Sequence, residues 1–376
     1  MFASLARAIA RATIAAIATL PLAGAAAADI LIGQTAGFSG PQASSVKEVT
    51  DGARLWLDQV NAKGGTHGQP IRLESLDDKF DPKQAGENAR VLIEEKNVVA
   101  MFLTRGTPHT EAVMPWLDKH GVPLVGPSTG AMLLHKPLRK HIFNVRSTYQ
   151  SEAEKAVAQM IALGVRRMAV IHVDDSFGAD AALGALKGID AAGLKPILVE
   201  KFDRARPDFS GIALRVVNAN ADGVVLIGSG AVAADGIKAM REAGSTAQVI
   251  TLSNNASGGF IKLLGANARG VIVSQVFPDE RSLNLPMIRE AQKLAREKGI
   301  AELTPAMVEG YAAAKVLTEA LRRAGPKPTR ASVLTALDGM RNFDLGGLVI
   351  SYSPEDHTGL DFVDLSIIGQ DGRFWR

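Results

Sequence analysis

Cysteine is absent from all 376 residues. That excludes disulfides, thiolate metal sites and a lipid-modified N-terminal cysteine. The seven histidines are scattered, with no pair at helical i, i+4 spacing, so no metal site is expected. Aromatic side chains make up only 5% of the chain. Most of them, such as Trp56 within Leu55-Trp56-Leu57, read as core. Charge of one sign is also lacking. The net charge of +3 includes Arg7 and Arg11, and without those two it falls to +1. No field remains to favour nucleic acid or an acidic membrane surface.

A long apolar run is missing too. Arg7 and Arg11 precede an Ala-rich segment from Ala12 to Leu22, and small residues from Ala23 to Ala28 end at Asp29. The apolar part is too short for a bilayer, which takes about 20 residues. This reads as a signal peptide over residues 1–28, cut after Ala28. Its arginines are not adjacent, so it is not a twin-arginine signal. Export without cysteine predicts a free periplasmic protein rather than a lipoprotein.

From Asp29 onward the chain alternates strand and helix. Ile30-Leu31-Ile32-Gly33 is a strand, and a helix runs from about Val46 to Asn61. Another strand is expected at Ile71 to Leu76 and a helix from Pro82 to Lys96, with Asp81 as its N-cap. After Phe143-Asn144-Val145-Arg146 the alternation starts afresh, with apolar strands at Met168 to Val173 and Gly223 to Ile227. Two long helices follow at 286–298 and 304–323, and the end is strand-like again. The expected class is α/β, with two doubly wound parallel-sheet lobes. Residues 29–145 with about 276–353 form lobe 1, and 146–275 with about 354–376 form lobe 2.

The chain is organised around Phe102-Leu103-Thr104-Arg105-Gly106-Thr107-Pro108-His109-Thr110, between a buried strand and the helix beginning near Glu111. A second strand-loop follows at Val122 to Gly130. Two such loops from adjacent parallel strands open at one sheet edge, where helix N-termini accept anions and polar ligands. Arg105 is the most suggestive charge there, since it can grip a carboxylate with two parallel hydrogen bonds. The alternative is a solvated surface arginine. Tyr149 and Phe177, at the start of second-lobe elements, can form an apolar ligand wall.

Three other motifs have competing readings. Gly126-Pro127-Ser128-Thr129-Gly130 fits a hydrolase nucleophile elbow. Pro127 fixes the backbone before the serine, and no base among His135, His141, His172 and His357 stands in a recognisable context. A ligand-binding turn is preferred. Gly228-Ser229-Gly230-Ala231-Val232-Ala233 fits a dinucleotide fingerprint. The next strand ends in Ser253-Asn254-Asn255, with no carboxylate for a ribose, so a tight turn is preferred. Asp77-Asp78 and Asp174-Asp175 can hold a cation or amine, or cap the following helix.

Gly33-Gln34-Thr35 with Ser39-Gly40-Pro41, Asn61-Ala62-Lys63-Gly64-Gly65, and Asp77-Asp78 followed by Asp81-Pro82-Lys83-Gln84-Ala85 resemble the leucine/isoleucine/valine-binding protein family of ABC-transporter periplasmic receptors. The likeness extends over essentially the whole mature chain. It implies lobes joined by three crossovers, closing over a ligand by hinge motion and delivering it to a membrane permease, with no catalysis and no cofactor. By position, Thr107 stands for a family serine, and Ser128 stands where a backbone group is used. Gly130 replaces a threonine whose hydroxyl Thr129 can take over. Ser45, Phe177 and Ser229 replace tyrosines. The family's disulfide positions hold Phe80 and Gly106. Where the family has the glutamate that pairs with the ligand's ammonium, this chain has Ser253-Asn254-Asn255.

The expectation is therefore a monomeric periplasmic receptor for a small carboxylate, either an amine-free organic acid or an amino acid if Asp174 or Asp175 turns inward. A ligand-sensing partner of a membrane signalling protein and a secreted serine hydrolase using Ser128 are the alternatives.

Overall fold

The computed structural model describes residues 28–376. Arg7, Arg11 and the apolar run of the expected signal peptide lie outside the described residues. The first lobe opens with β1 (Ile30–Ala36), α1 (Ala43–Ala62), β2 (Ile71–Asp77), α2 (Pro82–Arg90), β3 (Ala100–Phe102), α3 (Thr107–His120), β4 (Leu124–Val125) and β5 (Ile142–Phe143). Its five strands run in the order β2-β1-β3-β4-β5, all parallel. Asp81 caps α2 by accepting the Lys83 N–H at 2.9 Å, with Pro82 at the first helical position. The helix expected to reach Lys96 departs from α geometry earlier. It ends at Arg90 and continues as a π-turn over Val91–Glu95.

The second lobe holds α4 (Tyr149–Ala162), β6 (Met168–Val173), α5 (Ser176–Ala191), β7 (Leu198–Phe202), α6 (Ser210–Asn218), β8 (Gly223–Ile227), α7 (Gly230–Glu242), β9 (Gln248–Thr251), α8 (Gly258–Leu264) and β10 (Ile272–Gln275). The chain then returns to the first core with α9 (Pro286–Glu297), α10 (Pro305–Arg323), α11 (Arg330–Asp338) and the hairpin β11 (Phe343–Asp344) and β12 (Val349–Ile350). It crosses a third time to add β13 (Asp364–Ile368) and β14 (Phe374–Trp375). The second sheet has the order β14-β13-β10-β9-β8-β6-β7. Strands β6 and β8 are buried along their whole length, as strands covered by helices on both faces must be. The two parallel-sheet lobes expected are present, and one edge of the second sheet carries an antiparallel addition, where β13 runs antiparallel to β10 and β14 antiparallel to β13. That edge is made by the returning C-terminal segment as a hairpin, so no helical crossover sets its direction.

Helices α1 and α10 touch backbone to backbone. A Cβ on Gly310 would stand 1.8 Å from the Val49 carbonyl oxygen, and one on Gly52 2.0 Å from that of Met307. This contact fixes α10, which spans the lobe behind the β4 loop.

Candidate functional site

The loops after β3 and β4 open side by side. The Ser128 N–H bonds the Thr104 carbonyl at 2.8 Å, and an isolated parallel bridge pairs Arg105 with Ser128 beyond the ends of β3 and β4. Arg105 and Ser128 therefore lie together at the sheet edge. Helix α3 begins behind Gly106, which offers no capping side chain, and Thr107 is its first residue. The Thr107 and Thr129 hydroxyls are 2.7 Å apart.

Arg105 does not face solvent, as its alternative reading had it. It is 4% exposed and lies between the lobes. Its Nη1 donates to Ser128 Oγ at 2.5 Å, and its Nη2 donates to Ser45 Oγ at 2.8 Å and to the Asn254 carbonyl at 2.6 Å. Ser45 belongs to α1, whereas Asn254 belongs to the turn after β9, in the opposite lobe. Among the described residues no carboxylate lies in ion-pair contact with Arg105.

Four charges or polar groups missing from the expected site complete this cluster. Ser128 Oγ donates to Glu309 Oε1 at 2.7 Å. Arg146, on the first crossover, pairs with Glu152 at the start of α4 and donates to Ser253 Oγ at 2.7 Å. Glu152 Oε2 accepts the Ser253 N–H at 2.9 Å and the Ser274 hydroxyl at 2.5 Å. Arg146 Nη1 stands 3.9 Å from Glu309 Oε1. Burial works against the Arg146 charge, but Glu152, Tyr149 and Glu309 outweigh it and hold its pKa above the usual arginine value. The available signal for Glu309 was a carboxylate within the apolar text Ala306-Met307-Val308 and Gly310-Tyr311-Ala312.

The remaining expected residues divide. The Tyr149 ring lies 4.6 Å from the Arg146 guanidinium and 4.8 Å from the Phe177 ring, so the aromatic wall adjoins the charged cluster. Gly130 adjoins the crossover, where its carbonyl accepts the Tyr149 N–H at 2.7 Å and an added Cβ would be 2.6 Å from the Ser147 carbonyl oxygen. Ser229 is not brought to Arg105. It lies in the turn before α7 and lines a small gap with Arg204 of its own lobe and with Pro41 and Phe80 of the other. Gly230 has φ +50°, and a Cβ there would be 2.1 Å from the Pro41 carbonyl oxygen. The glycine turn thus lets the two lobes approach.

Neither Asp174 nor Asp175 turns into the cleft. Asp174 is exposed and pairs with Lys201 at 3.0 Å. Asp175 caps α5 through the Gly178 N–H at 3.0 Å and pairs with Arg204. Adjacent residues at a helix N-cap point apart, and the cap claims one of them. Among the described residues Ser128 has no histidine as a bonding partner. His141 bonds Asp118 and His357 bonds Asp338, while His172 bonds the Val173 carbonyl. No group of His, Asp and Glu able to hold a metal ion occurs among the described residues.

The lobes also meet at the cleft margin. Glu48 of α1 accepts the Gly258 and Gly259 N–H groups of α8 at 3.1 and 2.9 Å. Ser176 of α5 donates to Glu111 of α3.

Residues 29–363 match the family described as periplasmic binding protein. The chain is 26% identical to Leu/Ile/Val-binding protein homolog 3 of Brucella melitensis, over 91% of this chain and 92% of that one. A substrate-binding periplasmic protein from Ralstonia solanacearum superposes with a TM-score of 0.85 at 31% identity, covering 92% of this chain and 99% of the other. A leucine binding protein from Thermotoga maritima shares the fold at a TM-score of 0.81 and 19% identity, covering 92% and 98%. Two α/β lobes, three connections and a buried polar cluster where the lobes meet agree with this match over most of the length, and the chain belongs to the periplasmic binding protein family.

Proposed function

We propose that this chain is an exported, monomeric solute-binding receptor of an ABC importer. It closes its lobes over a small carboxylate-bearing ligand and delivers it to the permease. The observation that carries this reading is Arg105. A guanidinium this deeply buried and without a contacting carboxylate has unmet electrostatic demand. Its hydrogen bonds go to two hydroxyls and one carbonyl, one of these partners being in the other lobe. A ligand carboxylate entering here supplies the negative charge and is gripped from both sides, which favours the closed form.

Thr107, Thr129 and the uncapped start of α3 supply further donors at the same sheet edge. Tyr149 and Phe177 supply the apolar wall. The relative named for leucine, isoleucine and valine favours an amino acid within the carboxylate class. Glu309 supports that branch, because it shares the Ser128 hydroxyl with Arg105 and can receive an ammonium.

The test is thermal unfolding of residues 29–376 against branched-chain and acidic amino acids and against amine-free aromatic and aliphatic acids. A ligand at about 100 times its dissociation constant stabilises by roughly 2.7 kcal/mol. A shift with members of one class, lost in Arg105→Ala, is the expected result. No shift with any carboxylate defeats the proposal.

A further inference from the structure

A cavity of about 300 Å³ lies away from the Arg105 cluster. One wall comes from the second lobe, with Ile261 of α8 and Phe374 of β14, both packed on that lobe's core. The opposite wall comes from the first lobe, with Ala295 of α9 and Leu303 before α10. The segment after β10, which joins the lobes, provides Glu280. This volume is within the range of small-molecule sites, and the apolar walls suit an aliphatic chain.

Glu280 is the anomaly. It is 5% exposed, yet its Oε2 has no hydrogen-bond partner. The nearest cations, Arg376 and Arg281, stand 3.8 and 3.9 Å from its carboxylate oxygens. Both are engaged elsewhere. Arg376 donates to the Phe277 carbonyl at 2.7 Å. Arg281 donates to the Phe374 carbonyl and lies 4.8 Å from the Trp375 ring. A buried carboxylate oxygen without a donor is costly. At the mouth, Arg373 is paired with Glu302, whereas Arg296 is exposed and has no carboxylate within ion-pair distance among the described residues.

We propose that this cavity is a second ligand site, taking a small aliphatic zwitterion whose ammonium donates to Glu280 and whose carboxylate faces Arg296 at the mouth. The acceptor at the floor selects the amine. The surplus of guanidinium groups in the lining argues against a plain cation and for a ligand that carries a carboxylate as well. None of its lining residues belongs to the Arg105 cluster, although Gly258 also takes part in the lobe contact with Glu48 at the cleft margin.

The experiment is calorimetric titration of residues 29–376 with 5-aminopentanoate, pentylamine and pentanoate, on the wild type and on Glu280→Gln, Ile261→Trp and Arg105→Ala. The expected result is one equivalent of 5-aminopentanoate bound, with pentylamine at least tenfold weaker and pentanoate not binding. Glu280→Gln and Ile261→Trp abolish that binding, while Arg105→Ala keeps it. Each variant's unliganded melting temperature reports its folding, and Ile261→Trp fills the cavity while leaving the Glu280 residue itself unchanged. Absence of binding to the wild type, or binding that survives both cavity variants, overturns the proposal. Binding lost only in Arg105→Ala also overturns it, since the compound then occupies the cleft, and the receptor reading stands.

Discussion

Arg105 and Glu309 are joined through one hydroxyl. Ser128 Oγ accepts from the guanidinium at 2.5 Å and donates to the carboxylate at 2.7 Å. Each charge polarises that hydroxyl in the sense the other requires. Neither charge is used up by a direct ion pair with the other. The arrangement therefore keeps a cationic end and an anionic end, both buried and both on the first lobe.

The cationic end can be tested alone. Arg105→Ala is expected to weaken a carboxylate ligand by about 1.5–3 kcal/mol, the range for hydrogen bonds to charged groups. Arg105→Lys recovers only part of this, because an ammonium lacks the planar fork that holds two acceptors at once. Calorimetric titration with the ligand found in the thermal panel measures both. Unchanged affinity in Arg105→Ala assigns the arginine to lobe contact and not to the ligand.

The anionic end makes a separate prediction, about a ligand amine. Glu309→Gln keeps an acceptor for the Ser128 hydroxyl but removes the charge. An amino acid is expected to lose at least tenfold in affinity, about 1.4 kcal/mol, while its amine-free analogue is held as before. The quantity to read is the ratio of the two dissociation constants. A ratio that does not move removes Glu309 from ligand selection.

Much of this was legible in the sequence, and particular residues show why. Apolar runs such as Met168 to Val173 announced buried strands, and Asp81-Pro82 announced a helix start. Ser45, Arg105, Ser128 and Asn254 were expected at one site and do meet there. Glu309 was not expected, because a single glutamate in a helix reads as a surface charge until tertiary packing shows otherwise. Fifteen of the nineteen residues of α10 are buried, so the helix has almost no surface on which to place it. Arg146 and Glu152 were missed for the same reason. Each finds its compensation in a partner distant in sequence or on another element, and local patterning holds no record of that. Ser229 shows the opposite failure. Its turn was recognised, but which way it faces depends on how Pro41 approaches from the other lobe.

The contact of α1 with α10 makes a prediction about both stability and binding. Alanine is a better helix former than glycine by about 1 kcal/mol, so Gly310→Ala should stabilise if local preference decides. The Val49 carbonyl oxygen 1.8 Å from the added Cβ forces the helices apart instead. A loss of about 2 kcal/mol or more is expected by urea unfolding, in the range of overpacked cores. Ligand affinity should fall as well, since Glu309 is the preceding residue. A stabilised variant shows that the helices separate without cost.

Stability should also depend on pH through three buried groups, of which His109 and Asp78 adjoin Phe80. Burial pushes His109 and His135 down to about 4 and pushes Asp78 up to about 7. The unfolded chain protonates histidine near about 6.5 and aspartate near about 3.9. Each histidine therefore contributes stability above about 6.5 that is lost as pH falls toward 4, because only the unfolded state takes up the proton. Asp78 has the opposite sign. Its native form holds a proton until about 7, so its contribution is present at acid pH and lost as pH rises through 7. Between 4 and 6.5 the two histidines outweigh the one aspartate, and acidification destabilises. Asp78→Asn keeps an oxygen to accept the Phe80 N–H, now bonded at 2.9 Å, and removes the ionisation. The variant should gain on the wild type between pH 5 and pH 8. His109→Phe keeps the stack on Phe80, whose ring is 4.3 Å away, and should flatten the acid side of the profile. Melting temperatures at the two pH values decide both. If the gap between Asp78→Asn and wild type is the same at each, Asp78 titrates alike in the folded and unfolded chain.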